Sequence, residues 1–374
     1  MKKAGIRCVL FLLLFSLLSL VTAAESTAEG EYETFLQSIP EEVRSLLPED
    51  FLLSPLQGTE DATLAAGGLE HVFSVLSRLT GLYLQGALAL LAQICGLLLL
   101  GAVLRSLCDR GRSDTSEAFR FCATLVLSVS IFTLQGDIFT RMQRFFDTVK
   151  GLYTAFLPLM GTLYAMGGNL RTAVVNHGVL SGFLVLLETF CAGSVVPVAG
   201  VCLAFALMDA LCDGVDLRPL ASLIKRTYTL TLSFLMLLLC GVLGLQSTLT
   251  KAADTLALRT AGFAAGSFLP VVGGSISKTL GTVVSSVAYL RAVAGSGAIV
   301  VLFFTFLPTF LSLVLYRTAF LIGGAAAGLL GGEGEKKILS EFGAVYGYFL
   351  AVMACVFVML VFSLTLFART ATAG

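Results

Sequence analysis

The sequence predicts an all-α fold, a polytopic transmembrane helical bundle of about six to eight spans with Pro/Gly-broken or re-entrant segments. Three observations predict it. Only 13% of the 374 residues are charged and 57% are hydrophobic, with a mean hydropathy of +0.92; a soluble domain carries about a quarter charged residues. Uncharged runs recur that are long enough to cross a bilayer, which takes about 20 residues. Glycine and proline fall inside those runs, among them residues 258–317, which charge interrupts as well.

Residues 1–23 read as a signal peptide. Lys2, Lys3 and Arg7 form its positive region, Cys8 to Leu20 its apolar core, and Val21, Thr22 and Ala23 its small-residue end. An uncleaved first span is the alternative, although the apolar run is short for one. Residues 24–78 form an acidic extracytoplasmic segment, in which only Arg44 and Arg78 oppose eleven Asp and Glu. A segment so poor in Lys and Arg after a signal is expected outside the cytoplasm. Pro40, Pro48 and Pro55 punctuate it. Phe35, Leu36 and Ile39 share one helical face, as do Val43, Leu46 and Leu47. That pattern predicts short amphipathic helices. They suit either docking to a partner outside the cytoplasm or a solvated leader.

Residues 79–374 form the multi-span membrane domain. A first span covers 79–104, and Arg105, Arg110, Arg112 and Arg120 mark a cytoplasmic loop after it. Residues 121–135 are a shorter candidate. Residues 137–150 are amphipathic, with Phe139, Met142, Phe145, Phe146 and Val149 on one side, and either lie along the interface or pack on the bundle. Residues 151–170 hold Pro158 and several glycines. Residues 172–208 are too long for one simple span, carry Glu188 and Pro197, and are closed by Asp209, Asp213 and Asp216. A clear span covers 227–250. Another covers 292–316 with Pro308 inside it. Residues 318–332 are short and rich in Gly and Ala, 333–341 read as a charged loop, and 342–368 form the last span before Arg369.

Short similarities suggest an internal repeat relating residues 120–210 to 226–317, with chance agreement between apolar segments as the alternative. Leu134-Gln135-Gly136 is similar to Leu245-Gln246-Ser247, and Phe156-Leu157-Pro158 to Phe268-Leu269-Pro270. Paired Pro/Gly-interrupted segments in two halves mark the central site of many transporters. The count is six spans if both short segments are re-entrant, and eight if both cross. The basic residues are spread too evenly to decide.

Two groups of residues stand out as sites. Gly273, Ser277, Gly281 and Ser285 recur every fourth position and line one face of a helix, where a second backbone can approach closely. Helix breaks are expected at Pro158 and Pro270 and at Gly273 and Gly274, with Ser275 as N-cap of the next helix. Glu188 lies in an otherwise uncharged run and needs a partner, water or a proton. Arg171, Arg259, Lys278 and Arg291 are candidate partners. Glu188 then either lines a conduit or joins a structural ion pair.

Enzyme chemistry finds no support, and no catalytic, cofactor or metal residue is assigned. Neither H-E-x-x-H nor G-x-S-x-G occurs. Gly-Gly-Ser-Ile-Ser-Lys at 273–278 lacks the spacing of a phosphate loop. His71 reads as a solvated residue and His177 as a capping or interface residue. The nine cysteines form no C-x-x-C pair and read as small buried hydrophobes. Zero net charge argues against a nucleic-acid partner.

The run Leu258-Arg259-Thr260-Ala261, followed by Ala264-Ala265-Gly266-Ser267-Phe268-Leu269-Pro270-Val271-Val272-Gly273-Gly274, resembles the stage III sporulation protein AE family of endospore-forming bacteria. The layout of signal, acidic leader and many spans is similar too. The resemblance implies a multi-pass protein of the mother-cell membrane around the forespore. It implies a channel-like or secretion-like complex with other stage III sporulation operon membrane proteins and a forespore membrane partner. It supplies no catalytic residues. A self-contained secondary transporter or permease for a small solute is the alternative, favoured by the repeat and by Glu188.

Overall fold

The computed structural model of the chain describes residues 30–47, 69–108, 113–166, 193–211, 219–238 and 273–369, with a few isolated positions between 178 and 245; for 273–293 it describes backbone only. The described residues are helical and contain no strand. In chain order the helices are α1 (30–38), α2 (Glu41–Arg44), α3 (Leu69–Cys108), α4 (Ser113–Gln135), α5 (Asp137–Met166), α6 (Gly193–Leu211), α7 (219–238), α8 (Gly273–Leu329) and α9 (Glu333–Arg369). Among the described residues, five stretches are long and apolar enough to cross a membrane: Glu70–Ser106, Phe121–Leu163, Gly193–Ala210, Ala294–Leu329 and Glu333–Thr365.

The antiparallel hairpin of α8 and α9 is the centre of the bundle. Its turn is a Schellman motif. Gly331 takes a φ of +74°, Gly332 N–H reaches the Ala327 carbonyl at 2.9 Å, and Gly331 N–H reaches Gly328 at 3.3 Å. Only glycine adopts that backbone without strain, and the motif satisfies the last carbonyls of α8. Below the turn the two helices close on aromatic side chains. Phe320 stacks on Phe342 with centroids 5.2 Å apart, and Tyr316, Phe320 and Tyr346 form a continuous group.

Small residues set how closely the neighbours approach. A Cβ on Gly323 would come within 2.9 Å of Ile94 on α3, and one on Gly86 within 2.7 Å of the Tyr316 hydroxyl. These two contacts make α3 run parallel to α8. Gly324 faces Leu339 across the hairpin, Gly328 faces Lys336, and Ala327 is wholly buried. Close backbone approach through small residues is how apolar helices associate where the hydrophobic effect gives little.

Several elements differ from the sequence-based expectation. The helix starting at Leu69 contains the first span expected from residue 79. The amphipathic stretch 137–150 and the Pro-containing stretch after it are one helix, α5, which continues through Pro158 to Met166. A proline removes one N–H and crowds the carbonyl four residues back; here both Pro158 and Thr154 lie on the exposed side, where no packing is lost. Likewise α8 continues through Pro308 and the Gly/Ala segment as 57 residues. Glycine costs a helix only about 1 kcal/mol each, and close packing here offsets that. The expected charged loop at 333–341 is the first turns of α9. Glu333 and Glu335 sit in its first turn, favoured by the helix dipole, while Ile338, Leu339 and Phe342 face the core.

The acidic leader is docked rather than solvated over residues 30–47. Tyr32, Phe35, Ile39, Val43, Leu46 and Leu47 are all buried in the core. Phe35 meets Phe156 of α5 at 5.2 Å, and the Thr162 hydroxyl donates to the Glu31 carboxylate at 2.6 Å. His71 is not solvated either: its Nε2–H donates to the Leu46 carbonyl at 2.9 Å, and its ring meets Phe304. Burial raises the Tyr32 phenol above its usual range.

Candidate functional site: a buried ionic tier and the groove beside it

Charges in an apolar bundle are costly unless paired, so the tier where they gather is the first place to look for a site. Three pairs converge on the first turns of α9. Arg105, at the end of α3, donates from Nη1 to Glu335 at 2.6 Å. Lys225 of α7 is bound to Glu341. Lys337 lies 3.5 Å from the Asp209 carboxylate at the end of α6 and donates to the Asp209 carbonyl at 3.0 Å. Asp209 also accepts from the Leu217 N–H at 3.2 Å. The acidic side chains are almost fully buried. The helical register explains the geometry. Lys337 and Glu341, one turn apart, share a face of α9 while Glu335 points to the other side, so one helix start ties α6 and α7 on one side and α3 on the other. Gly334 gives way to Thr124 of α4, where a Cβ would come within 2.6 Å of the hydroxyl.

Next to this tier a side groove of about 1040 Å³ opens between α7 and α9. The α9 wall carries the small residues Ser340, Ala344, Gly347 and Ala351 beside Glu341 and Tyr348, and the α7 wall carries Ser222, Arg226, Thr229, Leu230 and Ser233. The hydroxyls of α7 are occupied: Ser222 donates to the Pro219 carbonyl, Thr229 to Lys225 and Ser233 to Thr229. Two cations are not. Arg226 lines the groove and Arg317 of α8 lies against Gly347, where a Cβ would come within 3.0 Å of the guanidinium. Both are exposed, and neither makes an ion pair among the described residues.

The structure distributes the residues singled out from sequence unevenly. Gly273, Ser277, Gly281 and Ser285 all lie on the backbone of α8, so their spacing puts them on one face of a single helix; Lys278 and Arg291 share that helix. Gly273 and Gly274 are its first residues, so it begins ahead of Ser275. Pro158 is inside α5. Glu188, Arg171, Arg259, His177 and Pro270 lie outside the described residues, and so does most of the repeat's second Pro/Gly segment. Sequence reasoning misses the ionic tier. Its signal is that acids and bases flank three apolar runs at their ends, at Arg105, Asp209 and 333–341, and each of these reads locally as a loop marker. No group of three or more metal-ligating side chains occurs among the described residues.

Comparison with known proteins adds a family. The sequence profile of stage III sporulation protein AE matches residues 65–371. The chain is also similar to the stage III sporulation protein AE of Bacillus subtilis (strain 168), at 24% identity over 255 residues. That alignment covers 68% of this chain and 63% of the relative, so the chain spans less than two thirds of the relative's length. No solved structure matches.

Proposed function

The chain belongs to the stage III sporulation protein AE family, and from that premise we propose that it is a membrane subunit of a channel-like or secretion-like complex linking mother cell and forespore during endospore development. The family match, which spans nearly all the membrane helices, carries this reading. The small-residue face on α8 supports it, since Gly273, Ser277, Gly281 and Ser285 give another helix a place to pack. Partners on this reading are other stage III sporulation membrane proteins and a forespore membrane protein. The subunit sits in the mother-cell membrane around the forespore, with its acidic leader in the space between the membranes.

The side groove, with two arginines that make no ion pair among the described residues, favours a second reading, a self-contained transporter. Reconstitution of the purified chain alone into vesicles separates the two. A subunit gives no specific solute uptake by itself. Saturable uptake that is lost in Arg226→Gln would favour the transporter. A complementary test is Gly281→Leu in sporulating cells: on the subunit reading the protein still inserts and endospore formation fails.

A further inference from the structure

An exposed arginine on an apolar helix must find an anion or water. Arg317 follows Leu313, Val314, Leu315 and Tyr316 and precedes Thr318, Ala319, Phe320, Leu321 and Ile322. Arg226 stands on a helix that exposes Leu223, Leu230, Phe234 and Leu237 by more than half, beside the exposed hydroxyl residues Ser222, Thr227, Thr231 and Ser233. Large apolar side chains exposed to that extent suit acyl chains, which the groove between α7 and α9 has room to take in from the side. Within the groove one other polar group is left over, the buried Tyr348 hydroxyl, which has no hydrogen-bond partner among the described residues. Lys225 is held by Glu341, and the α7 hydroxyls bond their own helix. The unmet demand is for one anion attached to something apolar. Along α9, Glu341, beside the Arg226 level, and Gly347, beside Arg317, are separated by about 9 Å. Gly347 is part of the groove wall, so Arg226 stands in the lining and Arg317, packed against Gly347, at its edge.

The geometry points to a binding site for an anionic phospholipid in this groove, its phosphate held by Arg226 and Arg317 and an acyl chain laid along Leu230, Ala344 and Ala351. The small residues of α9 are what leave room for the chain. This site is independent of the assembly into a channel-like complex.

The test is native mass spectrometry of the purified chain in detergent, with phosphatidylglycerol or phosphatidylcholine added. Phosphatidylglycerol is expected to remain bound and phosphatidylcholine to leave. At roughly fivefold per cation near an anionic headgroup, the double variant Arg226→Gln/Arg317→Gln is expected to weaken retention about twenty-fivefold. Ala351→Trp, which fills the groove and leaves both arginines in place, is expected to displace the lipid too. Millimolar inorganic phosphate is expected to leave retention unchanged. Equal retention of the two lipids, a double variant that binds like wild type, or displacement by free phosphate would each overturn the site. So would a photo-crosslinker at Leu230 that traps a second polypeptide in native membranes in place of lipid.

Discussion

At the residue scale, the structure rests on charge pairs that a bilayer protein can hold only when complete. Lys225 and Glu341 are both about nine-tenths buried. Removing one member strands the other charge, a loss of about 3–5 kcal/mol. Glu341→Gln should therefore lower the thermal midpoint of the purified protein strongly. The joint replacement Lys225→Met/Glu341→Leu should recover most of that loss, because an apolar pair of similar size incurs no ionic desolvation. A thermal melt of the three variants in one detergent checks both statements. Gly323 makes a different point. Leucine there would drive a branched side chain into Ile94, and overpacking of that kind costs about 1–3 kcal/mol. Gly323→Leu is expected to lower the melting midpoint, whereas Gly151→Leu, whose Cβ meets nothing within 4 Å, is not.

At the element scale, much is legible in the sequence and the errors share one cause. Uncharged runs locate α3, α6, α8 and α9. The spacing of Phe139, Met142, Phe145, Phe146 and Val149 identifies the buried face of α5: four of the five are in the core, and Phe139 packs against it. Proline and glycine read as terminators because they are so in water. Pro158 and Pro308 terminate nothing, because an apolar surrounding offers the backbone no competing hydrogen bonds and a helix remains its best state. The charges at 333–341 look like a loop because their partners, Arg105, Lys225 and Asp209, are more than 100 residues away and no local pattern reveals them. The leader shows the same limit: its apolar faces are visible in the sequence, and its seat against Phe156 and Phe304 is not. Phe35→Ala should cost about 3 kcal/mol of that seat and make Arg44 a faster site for limited trypsin cleavage. Tyr32 adds a pH dependence. Its phenol is pushed up by burial, so the folded state favours the neutral form. That contribution is complete below about pH 10, the ordinary phenol value, and is lost as pH rises through the higher folded value. Wild type should release the leader on alkaline titration, and Tyr32→Phe should release it less steeply, read by the same cleavage at Arg44.

At the scale of the whole molecule, α8 and α9 act as a post to which α3, α6 and α7 are fastened by ion pairs at one end and the leader is fastened at the other. The 57 residues of α8 extend about 85 Å along the helix, against a hydrocarbon core of about 30 Å. Part of α8 therefore stands outside the membrane interior. A helix longer than one crossing, with a small-residue face near its start, suits a subunit that reaches toward neighbours. The chain belongs to the stage III sporulation protein AE family and has the helices of a membrane protein. The most direct measurement is affinity purification of the tagged chain from membranes of sporulating cells, with the retained proteins identified by mass spectrometry and compared with Gly281→Leu. Other stage III sporulation membrane proteins are expected to be retained by the wild type and lost from the variant. Recovery of the wild-type chain alone, at the size of a monomer, would contradict this.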